Sequence, residues 1–368
     1  MEKKSTEQAA LVALAMGFCK RGAHFREVRA LGAGNINDTF LVVSEDGDEP
    51  FVLQKINRNV FPAPGEVINN AGKLYRHLSS KNLPLKLLEP IPVFGHPDIL
   101  PITDGNGECW RAFRYIPDTI SYEYALTPAL AFEASRAMGS FLTGLSDLDP
   151  LVISEVIPHF HDGMWRFHRF EEAVHRDIAG RGKATGPETD FALEGIEVFQ
   201  AVQTAGFPVR VVHNDAKMGN FLFDEHKESV VAVIDWDTAM PGALVSDFGD
   251  MVRTMTASLS ENDDRFEEVA IRKEWFAALV KGFIPPLKEI LRPEELDGLL
   301  LGAKWIILEQ MIRFLGDYLN GDTYYKVRFP GHNLVRARNQ MALYRSLLQQ
   351  EKELEEVIRG VKSVFFPT

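Results

Sequence analysis

The residues with chemistry to offer are concentrated between Val211 and Asp237. The chain there reads Val-Val-His-Asn-Asp-Ala-Lys-Met-Gly-Asn-Phe-Leu-Phe and, after a short polar turn, Val-Val-Ala-Val-Ile-Asp-Trp-Asp. Two β-branched, apolar runs flank a loop holding His213, Asp215 and Asn220, and the second run ends on Asp235 and Asp237. An acid and an amide are thereby brought close to two further acids. Phosphoryl transfer asks for such a set: one carboxylate accepts the proton of the attacking hydroxyl, and side-chain oxygens hold Mg²⁺ against the nucleotide phosphates. Asp215 suits the first task and Asn220 with Asp235 the second, while Asp237 is placed to assist the metal or brace the loop. The bland alternative, acidic loop residues as ordinary turn formers, does not account for spacing, flanking strands and residue types agreeing.

The form His213-Asn214-Asp215 with Ile234-Asp235-Trp236-Asp237 resembles the catalytic loop of the aminoglycoside phosphotransferase and choline kinase superfamily. The resemblance implies an α+β, two-lobed protein-kinase-like fold: a small antiparallel-sheet N-terminal lobe over residues 1–117 and a mainly helical C-terminal lobe over 118–368. It also implies ATP and Mg²⁺ as cofactors. Asp247-Phe248-Gly249-Asp250 imitates a protein-kinase metal motif but lies too far along the chain, and Asp247 reads as a structural acid near the catalytic loop.

The flanking sequence supplies elements to position this loop. At 368 residues the chain can bury a large core, and its length suggests two or three domains. Its 45% hydrophobic and 25% charged residues are those of an ordinary soluble globular protein. A formal net charge of −12 argues against nucleic acid or an anionic membrane as the main partner. Cys19 and Cys109 alone make no disulfide framework, so a cytoplasmic location is expected. Lys3-Lys4 followed by Ala9 to Phe18 imitates a signal peptide, but Glu2, Glu7 and the bulk of Phe18 spoil it. A helix is the better reading, with Ser5 and Gln8 as a capping box and Leu11, Leu14, Ala15 and Phe18 on one face. No run approaches the roughly 18 consecutive apolar residues of a membrane span.

Glu27 to Leu31 and Thr39 to Ser44 read as strands around Gly32-Ala33-Gly34-Asn35-Ile36-Asn37-Asp38. By the resemblance this glycine-rich loop covers the phosphates, which makes Gly32, Gly34 and Asn35 nucleotide contacts and puts Asn37 on the acceptor side. Phe51 to Ile56 is the strand that carries the phosphate-binding lysine in the superfamily, and Gln54 occupies that place here. Alternation sends Gln54 and Lys55 to opposite faces; either Gln54 meets the phosphates or a bulge lets Lys55 serve, and Gln54 is preferred. Pro64 to Leu78 reads as the helix that in kinases supplies a glutamate to pair with the strand lysine; the candidate, Glu66, sits in the first turn, where an acid also simply complements the helix dipole, and the second reading is preferred. A hairpin of Ile99 to Asp104 and Glu108 to Tyr115 leads to Tyr115-Ile116-Pro117, where the resemblance places the adenine-binding hinge. Beyond it helices dominate, including stretches over 265–283 and 294–319. His159, His161, Asp162 and His168 invite a metal reading, but a capped helix start is the simpler account. The segment 181–187 reads as a mobile surface loop.

Several stretches resemble the bacterial N-acetylhexosamine 1-kinases: Gly34-Asn35-Ile36-Asn37, Phe51 to Asn57 with its Gln54, His159-Phe160-His161-Asp162, Asp237 to Gly242, Arg313 to Leu319, and His332 to Arg336. That resemblance implies transfer of the ATP γ-phosphoryl group to the anomeric hydroxyl of GlcNAc or GalNAc. A hexosamine is neutral and crowded with hydroxyls, so its pocket needs directional hydrogen-bond partners. Arg313, Asp317, Tyr318, Asn333 and Arg336 supply them, with both charges represented. Choline would require an aromatic cage and an aminoglycoside a strongly acidic cleft. The competing readings are another small-molecule kinase, for choline, homoserine or an aminoglycoside, and a nucleotide-binding pseudokinase suggested by Gln54.

Overall fold

The computed structural model describes residues 2–20, 22–31, 36–45 and 47–366. The first part is a helix on an antiparallel sheet. Helix α1 (Glu2–Met16) precedes β1 (Phe25–Ala30), β2 (Asp38–Ser44) and β3 (Phe51–Lys55); α2 (Pro64–Ser79) follows, then β4 (Pro90–Ile91), β5 (Ile102–Thr103) and β6 (Cys109–Arg114). The sheet order is β1-β2-β3-β6-β4, with β5 also on β6. Its alternating residues Val28, Val42, Leu53 and Trp110 form a small core with Leu11, Ala15 and Phe18 of α1. The apolar face expected of α1 is therefore used, apart from Leu14, which is partly buried. Because the helix begins at Glu2, ahead of Ser5, that serine is not its cap; the side chains of both capping-box residues lie outside the described set.

After Arg114 the chain leaves this sheet, and β7 (Thr119–Ile120) pairs instead with β9 (Phe221–Asp224), which pairs with β10 (Val230–Val233). Strand β8 (Val209–Val212) pairs with β11 (Met240–Ala243). Helices make up the rest: α3 (Pro128–Gly144), α4 (Gly163–Arg176), α5 (Gly186–Glu194), α6 (Ile196–Thr204), α7 (Leu244–Met255), α8 (Lys273–Leu287), α9 (Pro293–Asp297), α10 (Leu299–Leu319), α11 (His332–Gln349) and α12 (Glu351–Phe365). They enclose the large core, with Phe141, Phe248, Phe276 and Phe283 fully buried. Helices α7 and α10 cross so closely that a Cβ on Gly249 would lie 2.3 Å from the Gly302 carbonyl oxygen. Glycine here is a packing requirement.

Three expectations change. The helix expected over 265–283 starts only at Lys273: Phe266–Glu268 make a short 3₁₀ turn, and then Ala257 bridges Ile271 and the Arg272 amide donates to the Thr256 carbonyl, holding the residues just before the helix extended. The helix expected over 294–319 is divided at Gly298. The segment 181–187 is tied down: Asp177 accepts from the amides of Arg181 and Gly182, and Arg181 pairs with Asp322 at 2.6 Å. Among the described residues no helix is long and apolar enough to cross a membrane.

Candidate active site

Three strand ends build the site. Asp215 follows β8, Asn220 directly precedes β9, and Asp235 comes two residues after β10. The β9–β10 hairpin thus brings Asn220 back beside Asp235, and the Ile234 amide donates to the Asn220 carbonyl at 2.9 Å. Two residues here take left-handed backbone, Asn214 (φ 62°) and Asp235 (φ 63°). Asn and Asp tolerate that region better than other side chains, and the surroundings of Asn214 hold its conformation in place.

Asn214 sits in a complete cage. Its amide and that of His213 donate to the two carboxylate oxygens of Asp247, at 2.6 and 2.8 Å. Its side chain donates to the carbonyls of Thr238 and Met240, and its carbonyl accepts from His161 Nε2 at 3.0 Å. His161 Nδ1 lies 2.8 Å from the buried Glu309. His213 Nε2 donates to the Ile234 carbonyl at 2.9 Å, which leaves Nδ1 to accept the Asp215 amide at 3.3 Å. Asp247, expected as a structural acid, is the support of this turn, and burial pushes its pKa up to about 6.

Asp215 projects from the cage with its carboxylate held on one side. Lys217 Nζ lies 2.5 Å from Oδ2 and Asn220 Nδ2 at 3.0 Å. Burial is the largest influence and works to raise the Asp215 pKa, but the charge and hydrogen bond of Lys217, with His213 and Asn220, together outweigh it and the net direction is down. The acid is therefore ionised and ready to accept a proton. Asp235 is the opposite case: burial and the neighbouring Asp237 charge raise it to about 6. Lys217, which sequence reasoning passed over, is half-buried, and although burial works to lower its pKa, Asp215 and Asp235 raise it.

The metal-binding expectation can be tested on donors. Asn220 spends Nδ2 on the carbonyl and carboxylate of Asp215, and among the described residues no donor is hydrogen-bonded to its Oδ1. No donor among the described residues is hydrogen-bonded to the Asp235 carboxylate. An amide oxygen and a carboxylate short of positive charge suit a hard divalent cation that completes its shell with phosphate and water. No group of three or more His, Cys, Asp or Glu among the described residues forms a cage for an ion. His159 instead stacks on Trp165 at 5.0 Å and pairs with Asp162, the N-cap of α4, and His168 pairs with Glu171.

Above this floor, Gln54 faces inward and Lys55 outward. Gln54 Oε1 accepts from Arg111 Nε and Nη2, at 2.9 and 2.6 Å, while Lys55 pairs with Asp38 at 2.7 Å and lies over Trp110. Arg111 also donates to Asp237, whose other oxygen accepts from Asn37 at 2.7 Å. Asn37, expected on the acceptor side, has its carboxamide committed to Asp237 and the Asn57 amide. Gly32, Gly34 and Asn35 lie outside the described residues. Tyr115 and Ile116 fall between β6 and β7; the Tyr115 amide donates to Pro50, and the Ile116 carbonyl accepts from Thr119. Glu66 accepts from Ser154 at 2.6 Å, away from this cluster.

The downstream polar residues separate into three groups. Arg313 lines a cavity of about 180 Å³ with Arg166, Tyr324 and Tyr325. Its guanidinium lies over the rings of Phe160, Tyr324 and Tyr325, and it sits 3.9 Å from Glu309, which connects the cavity through His161 to Asn214. Asp317 touches the same cavity, but its oxygens accept the amides of Thr323, Tyr324 and Tyr325 and the Asn333 side chain, so Asp317 and Asn333 shape the cavity wall. Tyr318 packs under Arg181, and Arg336 binds Asn262; neither lines the cavity. Arg166, Tyr324 and Tyr325 carried no sequence signal, since they become neighbours of Arg313 only through the fold.

Residues 27–279 match the family described as the phosphotransferase enzyme family. Among solved structures, a microcompartment-associated aminopropanol kinase superposes with a TM-score of 0.57 at 16% identity, covering 94% of this chain and 98% of that one. An amicoumacin kinase in complex with AMP-PNP and Ca²⁺ gives 0.59 at 15%, covering 93% and 96%. An ethanolamine kinase from Plasmodium vivax gives 0.51 at 13%, covering 87% and 82%. At such identities the likeness shows the fold, a kinase-like one with an antiparallel N-terminal sheet and a helical C-terminal part.

Proposed function

The chain belongs to the phosphotransferase enzyme family, and on that footing we propose that it is a small-molecule kinase that moves the γ-phosphoryl group of ATP to a sugar hydroxyl, the anomeric hydroxyl of an N-acetylhexosamine fitting best. The observation that carries this reading is the Asp215 carboxylate, ionised by Lys217 and hydrogen-bonded to Asn220. Asp215 orients the acceptor hydroxyl and accepts its proton as the phosphoryl group transfers in line. Asn220 and Asp235 are the residues to hold Mg²⁺, which when bound supplies charge neutralisation for the phosphate oxygens. Gln54, Tyr115 and Ile116 stand on the nucleotide side. The Arg313 cavity is the acceptor side. Guanidinium and phenol donors on an aromatic wall suit ring hydroxyls and an acetamido carbonyl.

Phosphorylation of candidate acceptors from Mg·ATP, followed by ³¹P NMR, tests the proposal. An anomeric phosphate on GlcNAc or GalNAc is the expected product. Product only with choline, homoserine or kanamycin would retain the kinase and overturn the sugar. No transfer to any acceptor, with nucleotide still bound, would favour a non-catalytic nucleotide sensor.

A further inference from the structure

A kinase of this design needs a cation under the nucleotide phosphates from its N-terminal sheet, and β3 does not offer one. Lys55 points to the other face, toward Asp38. One strand over, the register of the sheet places Arg111 of β6 directly opposite Gln54, and Gln54 opposite Thr39. The three side chains form a row. Thr39 accepts from Gln54 Nε2 at 3.1 Å, and Gln54 Oε1 receives both Nε and Nη2 of Arg111. The guanidinium then reaches Asp237, two residues beyond the proposed metal ligand Asp235.

Among the described residues this arrangement leaves one end of the guanidinium without a hydrogen-bond partner. Arg111 is only 3% exposed, yet among the described residues its Nη1 has no hydrogen bond. Buried donors are ordinarily satisfied, and leaving one empty costs stability. A clamp between the sheet and the Asp237 turn would need Nε and Nη2 alone. The two remaining N–H groups, both on Nη1, lie in the guanidinium plane and suit phosphate oxygens, in a cluster where, among the described residues, Lys217 and Arg111 are the lysine and arginine set against Asp215, Asp235 and Asp237.

We propose that Arg111 is the residue of the N-terminal sheet that binds the nucleotide's phosphate chain, through Nη1, with Gln54 as the positioning residue that fixes the guanidinium. The substitution of Gln54 for a lysine is then a relocation of the cation by one strand. A glutamine suits the place because its carbonyl accepts from the arginine, whereas a lysine there would repel it. The inference rests on the phosphotransferase reading above.

Calorimetric titration of the full-length protein with Mg·ADP and with adenosine separates phosphate recognition from adenine recognition. The wild type is expected to bind ADP more tightly than adenosine. Arg111→Met should lose roughly ten- to hundredfold in ADP affinity, the scale of a charge-assisted hydrogen bond, with adenosine binding unchanged. Arg111→Lys should fall between. Because Arg111→Met strands a buried Asp237, the pair Arg111→Met with Asp237→Asn, checked for folding by thermal melting, is read beside it and should show the same selective loss. ADP affinity within about twofold of wild type in the folded variants, or equal losses for ADP and adenosine, would overturn the assignment. A wild type that binds adenosine and ADP equally would overturn it too, whereas one that binds neither would remove the kinase reading itself.

Discussion

Replacing Lys217 by Met tests whether the ion pair, rather than the loop alone, keeps Asp215 in its basic form. The pair is close at 2.5 Å, with the lysine 34% and the aspartate 21% exposed. At an effective dielectric near 20, unit charges about 4 Å apart interact by about 4 kcal/mol, whereas fully exposed pairs yield about 0.2–1 kcal/mol. A partly exposed pair falls between them, at about 1.5–3 kcal/mol, equivalent to about 1–2 pH units. Burial opposes ionisation of Asp215 and Lys217 is the chief counterweight. The sign follows: with Lys217 the carboxylate stays charged well into acid, and without it the carboxylate takes up a proton at higher pH. The acid limb of kcat/KM against pH should therefore move upward by about 1–2 units in Lys217→Met. Asp235, raised to about 6 by burial and Asp237, would titrate in the same range, so the profile is taken at saturating Mg²⁺, which keeps that carboxylate charged. An unmoved limb, or one displaced toward acid, would refute the role given to Lys217.

Three further perturbations probe the supports. Asp247→Ala leaves the buried amides of His213 and Asn214 without acceptors; at about 1–3 kcal/mol each, urea unfolding should show a loss of several kcal/mol, and a change below about 0.5 kcal/mol would contradict the cage. Gly249→Ala places a Cβ 2.3 Å from the Gly302 carbonyl oxygen, and should lower stability by about 1–3 kcal/mol or more through overpacking, read as a lower melting temperature. Asp317→Ala frees the amides of 323–325; if the Arg313 cavity takes the acceptor, its KM should rise about tenfold or more while that for ATP holds, and equal changes in both would argue against the cavity.

The clustering of the candidate site was legible because its parts lie close along the chain. Asp215, Asn220 and Asp235 belong to consecutive strand ends, so spacing was enough to bring them together. Strand alternation put Gln54 and Lys55 on opposite faces but left open which of them faces inward, and Asp247 could be set apart from a metal motif by its distance along the sequence. Arg111 was not legible, because its role comes from strand register, which joins residues far apart in sequence. Asp317 and Asn333 read as acceptor contacts since carboxylates and amides look available in a sequence, yet backbone amides of the 323–325 loop occupy Asp317, and the Asn333 side chain is spent donating to Asp317 and Asp322. The start of α8 differs from the periodicity for a similar reason: apolar spacing cannot reveal that Ile271 bridges Ala257 and interrupts the helix after a short turn at Phe266–Glu268. Lys217 was in plain view within the loop, and its meaning required its distance from Asp215.

The most direct measurement compares single-turnover phosphoryl transfer and Mg·ADP affinity in the wild type and in Asp215→Asn. The substitution keeps shape and hydrogen-bonding capacity while removing the base. Transfer should slow by roughly 10²- to 10⁴-fold, with ADP affinity unchanged. Transfer at a near-normal rate would contradict the central claim that Asp215 accepts the acceptor's proton.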